Sequence, residues 1–159
     1  MRAQEEIWRE ASDQETLEFK EVLRALKGFA LSELGRRACE ELRPLKEGEK
    51  VEARLEETAQ MKEFLEEGGE IPGGMADISP FIERASKGLP LEAGELLEVA
   101  QSIRVSQEIK RTLQSLKEER WDRLRGLGRR FSAPLKLAEE IEGAIAPSGE
   151  IKDEASPAL

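Results

Sequence analysis

The chain has 159 residues, enough for one domain with a single buried core. It carries a net charge of −9, with no histidine and one cysteine, Cys39. That inventory excludes an intramolecular disulfide, the usual zinc ligand sets and any Ser–His or Cys–His nucleophile pair. The acidic balance argues against strong stand-alone binding of duplex nucleic acid. The first fifteen residues hold five carboxylates and no apolar run, which excludes a signal peptide, and no stretch approaches membrane-spanning length. A cytoplasmic location is expected.

Residues 1–15 form an extension in which Ile7, Trp8 and Ala11 could share one apolar stripe. Ser12 with Glu15 matches a capping box. Behind it Phe19, Val22, Leu23, Leu26 and Phe29 recur at helical spacing, with Gly28 as the stop or kink. Ser32 then caps a short helix bearing Leu34, Ala38 and Leu42 on one face, ended by Pro44. Cys39 falls in this helix and reads as a small core residue. Gly35 allows either a close helix approach or nothing more than tolerance.

From Glu49 a third helix places Val51, Leu55, Thr58, Met61 and Leu65 inward, closed by Gly68-Gly69. The stretch from Glu70 to Met75 is an interhelical loop without the lysine and hydroxyl of a phosphate-cradling sequence. Ser79-Pro80 opens a helix that turns Phe81, Ile82 and Ala85 inward and ends at Gly88.

The longest element is predicted from about Glu92 to about Lys117, with Leu96, Val99, Ile103, Ser106, Ile109, Leu113 and Leu116 on one stripe. Shorter helices follow around Trp121–Leu127 and Leu135–Ile145, and Pro147-Ser148-Gly149 is a turn. Ser156-Pro157 announces a helix that the remaining two residues do not build, the pattern of a segment belonging to a longer protein. The expected fold is all-α: a multi-helix bundle with one long central helix. It comprises a core segment over 16–155 and the start of a following helix over 156–159.

The residues between Lys117 and Lys136 oppose the global charge, with seven cations against three carboxylates. Lys117, Arg120, Arg123, Arg125, Arg129 and Arg130 are the candidate contacts for a phosphate backbone or an acidic partner. The alternative is a solvated helix anchored by Trp121, Leu124, Leu127 and Phe131. The paired carboxylates Glu56-Glu57, Glu66-Glu67 and Glu139-Glu140 read as solvated helix faces with i,i+4 partners rather than acid–base dyads. No catalytic, cofactor or metal residue is assigned.

The order of these signals resembles a known family. The stretches Leu17–Leu23, Ser32–Gly35, Leu42–Leu45, Ile71–Ile78, Leu91–Leu97 and Gly149–Pro157 are similar to the start of the bacterial MutS-like proteins, in the recombination-suppressing endonuclease branch called MutS-two. The match begins at about Thr16, so the preceding stretch departs from it. The resemblance implies the first part of a helical core, or lever. In the parent protein it would couple a dimerising ATPase that uses ATP and Mg to a coiled-coil clamp and a small nuclease domain. Such proteins act on branched DNA to suppress homologous recombination, and in some bacteria split collided ribosomes. The implied partners are the remaining core, clamp and ATPase segments of the same protein. A homodimer through these helices, and weak nucleic-acid binding through Arg120–Arg130, are the competing readings.

Overall fold

The computed structural model describes residues 17–30, 32–153 and 155. It divides into two compact units, with the chain boundary between Pro44 and Leu45. The first unit is a helical hairpin of α1 (Phe19–Phe29) and α2 (Glu33–Glu41). Ser32 caps α2 as expected, its Oγ accepting from the Gly35 N–H at 3.0 Å. At α1 the chain enters through Glu18 in the left-handed region (φ 51°) without a side-chain cap, and the Ser12–Glu15 box lies outside the described residues.

Gly28 does not stop α1. The helix runs through it to Phe29, and the break falls at Ala30, where ψ swings to 125°. Nor does α2 reach Pro44. Leu42 is already extended, and Arg43 caps the frayed end by donating to the carbonyls of Glu40 and Leu42 at 2.9 and 2.7 Å. A residue before proline is pushed out of the helical region, so the helix must end early. Lys27 and Glu40 form an ion pair across the hairpin. Neither helix contains a fully buried residue, and Cys39 is half-buried rather than in a core.

The second unit holds the core. It contains α3 (Gly48–Glu66), α4 (Ser79–Ser86), α5 (Ala93–Ser115), a 3-10 turn at Glu119–Trp121, α6 (Asp122–Arg130) and α7 (Leu135–Ala144). Among the described residues the fold is therefore all-α, as the composition implied. Its one sheet-like feature is an antiparallel bridge between Ile145 and Ile151, which folds the Pro147–Gly149 turn back on α7. Gly149 occupies the left-handed region there (φ 87°).

The face that α3 buries differs from expectation. Of the expected stripe, Val51 and Met61 are half-buried and Met61 packs on the core, but Leu55, Thr58 and Leu65 are exposed, whereas Phe64 is buried and Glu57 and Gln60 are half-buried. The inward stripe is displaced by one residue, a rotation of about 100°. Its end is as expected: the N–H of Gly68 (φ 87°) bonds Leu65 O at 3.1 Å and that of Gly69 bonds Phe64 O at 2.8 Å, a Schellman closure. Gly69 has a steric reason too, because a Cβ there would lie 2.3 Å from the Phe64 ring.

Helix α4 also corrects the sequence reading. Phe81 is half-buried, but Ile82 and Ala85 face solvent. Gly88 (φ 72°) ends the helix with the same closure, and Arg84 ties it to α5 through Glu95 at 2.5 Å and Pro90 O at 2.8 Å.

Glu92 and Glu95 form the capping box that starts α5. Its 23 residues span about 34 Å, ending at Ser115 because Leu116 is extended. The first half packs Ala100 and Ile103 against Ala138, Ile141 and Ile145 of α7 and its exit. The second half packs Leu113 against Phe64, Trp121 and Leu124. Ser102 and Val105, which the single predicted stripe omits, are buried as well.

Helices α5 and α6 approach closely where buried Gly128 meets Leu113 and Gln114. A Cβ built on Gly128 would lie 2.9 Å from the Leu113 Cβ and 3.3 Å from the Gln114 Cγ. The first of these atoms is fixed to the backbone, so only movement of a helix would relieve the contact. We therefore expect Gly128→Ala to lower the unfolding free energy by about 1–3 kcal/mol in urea titrations, outweighing the propensity gain of about 1 kcal/mol. A neutral or stabilising result would show that the helices are not held at this distance.

Candidate interaction surface

The basic segment begins in the link from α5 to α6, and its charges divide into two groups. The first group is consumed inside the fold. The Arg120 side chain meets three carboxylates: it bonds both carboxylate oxygens of Glu67 at 2.7 and 2.8 Å, bonds Glu118 at 2.9 Å, and pairs with Glu63. The same guanidinium lies 4.2 Å above the Trp121 ring, a cation–π contact. Arg123 pairs with Glu56, its Nε donating at 2.7 Å. Arg125 donates to the carbonyls of Leu116 and Glu118 at 3.1 and 2.5 Å, the C-cap carbonyl of α5 and one in the link that follows it.

Gln60 completes this seam. Its Oε1 accepts from the N–H groups of Arg123 and Leu124 at 3.0 and 3.2 Å, while its Nε2 donates to Asp122 at 2.8 Å. Helix α6 has no side-chain cap of its own, since Trp121 stands at that position. A residue more than sixty positions earlier supplies the cap. Beneath these polar contacts Phe64 and Trp121 meet edge to face, their centroids 6.3 Å apart at 86°.

The second group is Lys117, Arg129 and Arg130. All three are exposed and make no ion pair or hydrogen bond with a described residue. So the six candidates do not form one surface: three hold the fold together and three face solvent. Of the acidic pairs, Glu66 and Glu140 have the expected i,i+4 partners, Lys62 at 3.7 Å and Lys136 at 3.8 Å, while Glu57 pairs at i,i+3 with Arg54 at 2.7 Å. Glu56 and Glu67 instead serve the long-range seam. Among the described residues no cluster of His, Cys, Asp or Glu is arranged to hold a metal ion, and no helix is long and apolar enough to cross a membrane.

Comparison with known proteins finds similarity to part of a longer bacterial protein. The chain is 35% identical over 145 residues to Endonuclease MutS2 of Symbiobacterium thermophilum, covering 91% of this chain and 18% of that protein. The chain resembles a segment of MutS2. A second MutS2, from Halothermothrix orenii, is 32% identical over 94% of the chain and 20% of its own length. That of Geobacillus kaustophilus is 36% identical over 91% and 19%. The chain thus spans about a fifth of the length of the MutS2 relatives it matches. No family model matches, and no solved structure matches.

The seam has a pH signature. Hydrogen bonding from Arg120 holds the Glu67 carboxyl below the usual carboxylate range against the opposing effect of desolvation. Asp122 is lowered by its bond from Gln60, and Glu142 by its bond from Arg104 on α5. A carboxylate whose folded pKa is depressed adds stability above its unfolded value, and that stability is lost as pH falls through the folded value. The melting temperature should therefore hold steady from pH 7 to about 5 and fall below about 4.5, the unfolded range of a glutamate. Glu67→Gln should flatten the acid limb. A limb of unchanged steepness in that variant would show that the Arg120 cluster contributes nothing to acid sensitivity.

Proposed function

We propose that this chain is the N-terminal part of the helical core, or lever, of a MutS2-type protein, a non-catalytic segment that couples ATPase state to a clamp. The observation that carries this reading is the pattern of similarity: nine-tenths of the chain aligns with about a fifth of each relative. The relatives bear the name endonuclease, and a chain without histidine and with one cysteine suits a non-catalytic part, with catalysis in segments beyond the match. ATP and Mg would be bound there, in a cytoplasmic protein acting on branched DNA in recombination, or on collided ribosomes.

The geometry suits a mechanical part. Helix α5 is packed along both halves, against α7 in the first and α6 in the second, which favours movement as one body. Packed helices of this kind change between discrete arrangements rather than deforming gradually. Apolar surface is left for further segments to cover. Phe29 is 82% exposed and Leu17 74% exposed in the first unit, and Thr58, Met61, Leu65 and Leu127 line an open groove of about 670 Å³ in the second.

The reading is tested in the full-length protein by loosening the seam with Gln60→Ala and Arg123→Ala together. Basal ATP turnover should stay within about twofold, while its stimulation by branched DNA or ribosomes should fall about fivefold or more, the lower end of a usual coupling free energy. Undiminished stimulation would contradict the lever. A concentration-independent doubled mass in light scattering of the isolated chain would favour the dimerisation reading instead.

A further inference from the structure

We infer that the solvent-facing flank of the α5–α6 crossing is a phosphate-backbone contact formed by Lys110 with Arg129, with Arg111 and Arg130 beside them. The inference rests on the reading above only for its choice of nucleic acid as the polyanion.

The crossing fixes the neighbourhood. Gly128 lies against Leu113 and Gln114, while Arg125, three residues earlier, reaches the Leu116 carbonyl, so the two helices run in opposing senses. Moving back along α5 from Gln114 therefore accompanies moving forward along α6 from Gly128. Lys110 is one turn before Gln114 on the same side of α5, and Arg129 is one residue beyond Gly128.

The side of the crossing follows from what is buried. Leu113, Leu124, Leu127 and Phe131 turn toward the Phe64–Trp121 cluster. Arg125 reaches the Leu116 carbonyl that caps α5, and Arg129 shares its side of α6 at i,i+4. Gln114 and Lys110 complete that side on α5.

The charges there are unspent. Lys110, Arg111, Arg129 and Arg130 make no ion pair or hydrogen bond with a described residue, in a chain of net charge −9 whose arginines elsewhere on the core seam meet carboxylates. The nearest carboxylate in sequence, Glu108, stands at i,i+3 from Arg111 without pairing to it. Four cations without a partner among the described residues, on two helices held at contact distance, match the charge of a phosphate backbone. Each phosphate contact releases counterions, so the attraction must weaken with salt.

The test is fluorescence anisotropy of the 159-residue chain with a labelled 30-base-pair duplex, titrated between 25 and 200 mM salt. Affinity should fall with salt, and K110E/R129E should bind about tenfold or more weakly, with a log–log salt slope smaller by roughly two. The control K62E/K136E should bind as the parent does, and circular dichroism melts establish that each variant is folded. Salt-insensitive binding, no binding at 25 mM, or equal loss in the control would overturn the inference. So would displacement of the duplex by polyglutamate at equal charge, which would mark a general acidic-protein contact. Each of these leaves the lever untouched, because the ATPase-coupling experiment reads the Gln60–Arg123 seam and not this flank.

Discussion

The close crossing of α5 and α6 at Gly128 is the constraint from which most of the second unit follows. With no side chain at 128, the α6 backbone settles against Leu113 and Gln114, and Leu113 becomes almost wholly buried. The connection between the helices must then turn within a few residues. A 3-10 turn does so, dropping Trp121 into the core at 3% exposure. Trp121 in turn gives Phe64 of α3 a ring edge to pack on, which decides how α3 is rotated.

The polar contacts follow this apolar placement rather than causing it. Ion pairs at the surface are each worth little, roughly 0–1 kcal/mol. Along the α3 seam they act together with the Phe64–Trp121 contact and the Gln60 cap, so the arginines have fixed partners and lose less freedom in meeting them. The first unit shows what happens without such a core. Helices α1 and α2 have strong amphipathic patterns, a good Ser32 cap and an ion pair, yet neither buries a residue fully. Local signals can specify a helix; burial requires a partner surface.

Much of this was legible in the sequence because helix punctuation is local chemistry. Ser32, Gly68-Gly69, Pro80 and Gly88 act near where they stand. The stripe through Leu96, Ile103 and Leu113 identified the inward side of α5 because all of its residues but Ser106 are apolar. In α3 two stripes competed. Leu55, Thr58 and Leu65 made the more apolar one, but Gln60 and Phe64 won because a glutamine can cap α6 and a phenylalanine can meet Trp121. No pattern within α3 reports those partners. The same blindness explains the basic segment: a local charge sum cannot register Glu56, Glu63 and Glu67 lying opposite. It also gave no reason to join Lys110 and Arg111 to Arg129 and Arg130, which only the Gly128 crossing brings into register.

Native-state hydrogen exchange tests most directly the claim that this crossing organises a rigid body. The account predicts that amides of the α5 interior from Ile103 to Leu113, and of α6 from Leu124 to Gly128, exchange slowest and share one opening free energy. Those of α1 and α2 should exchange far faster. Comparable protection in the hairpin, or α6 opening independently of α5, would contradict it.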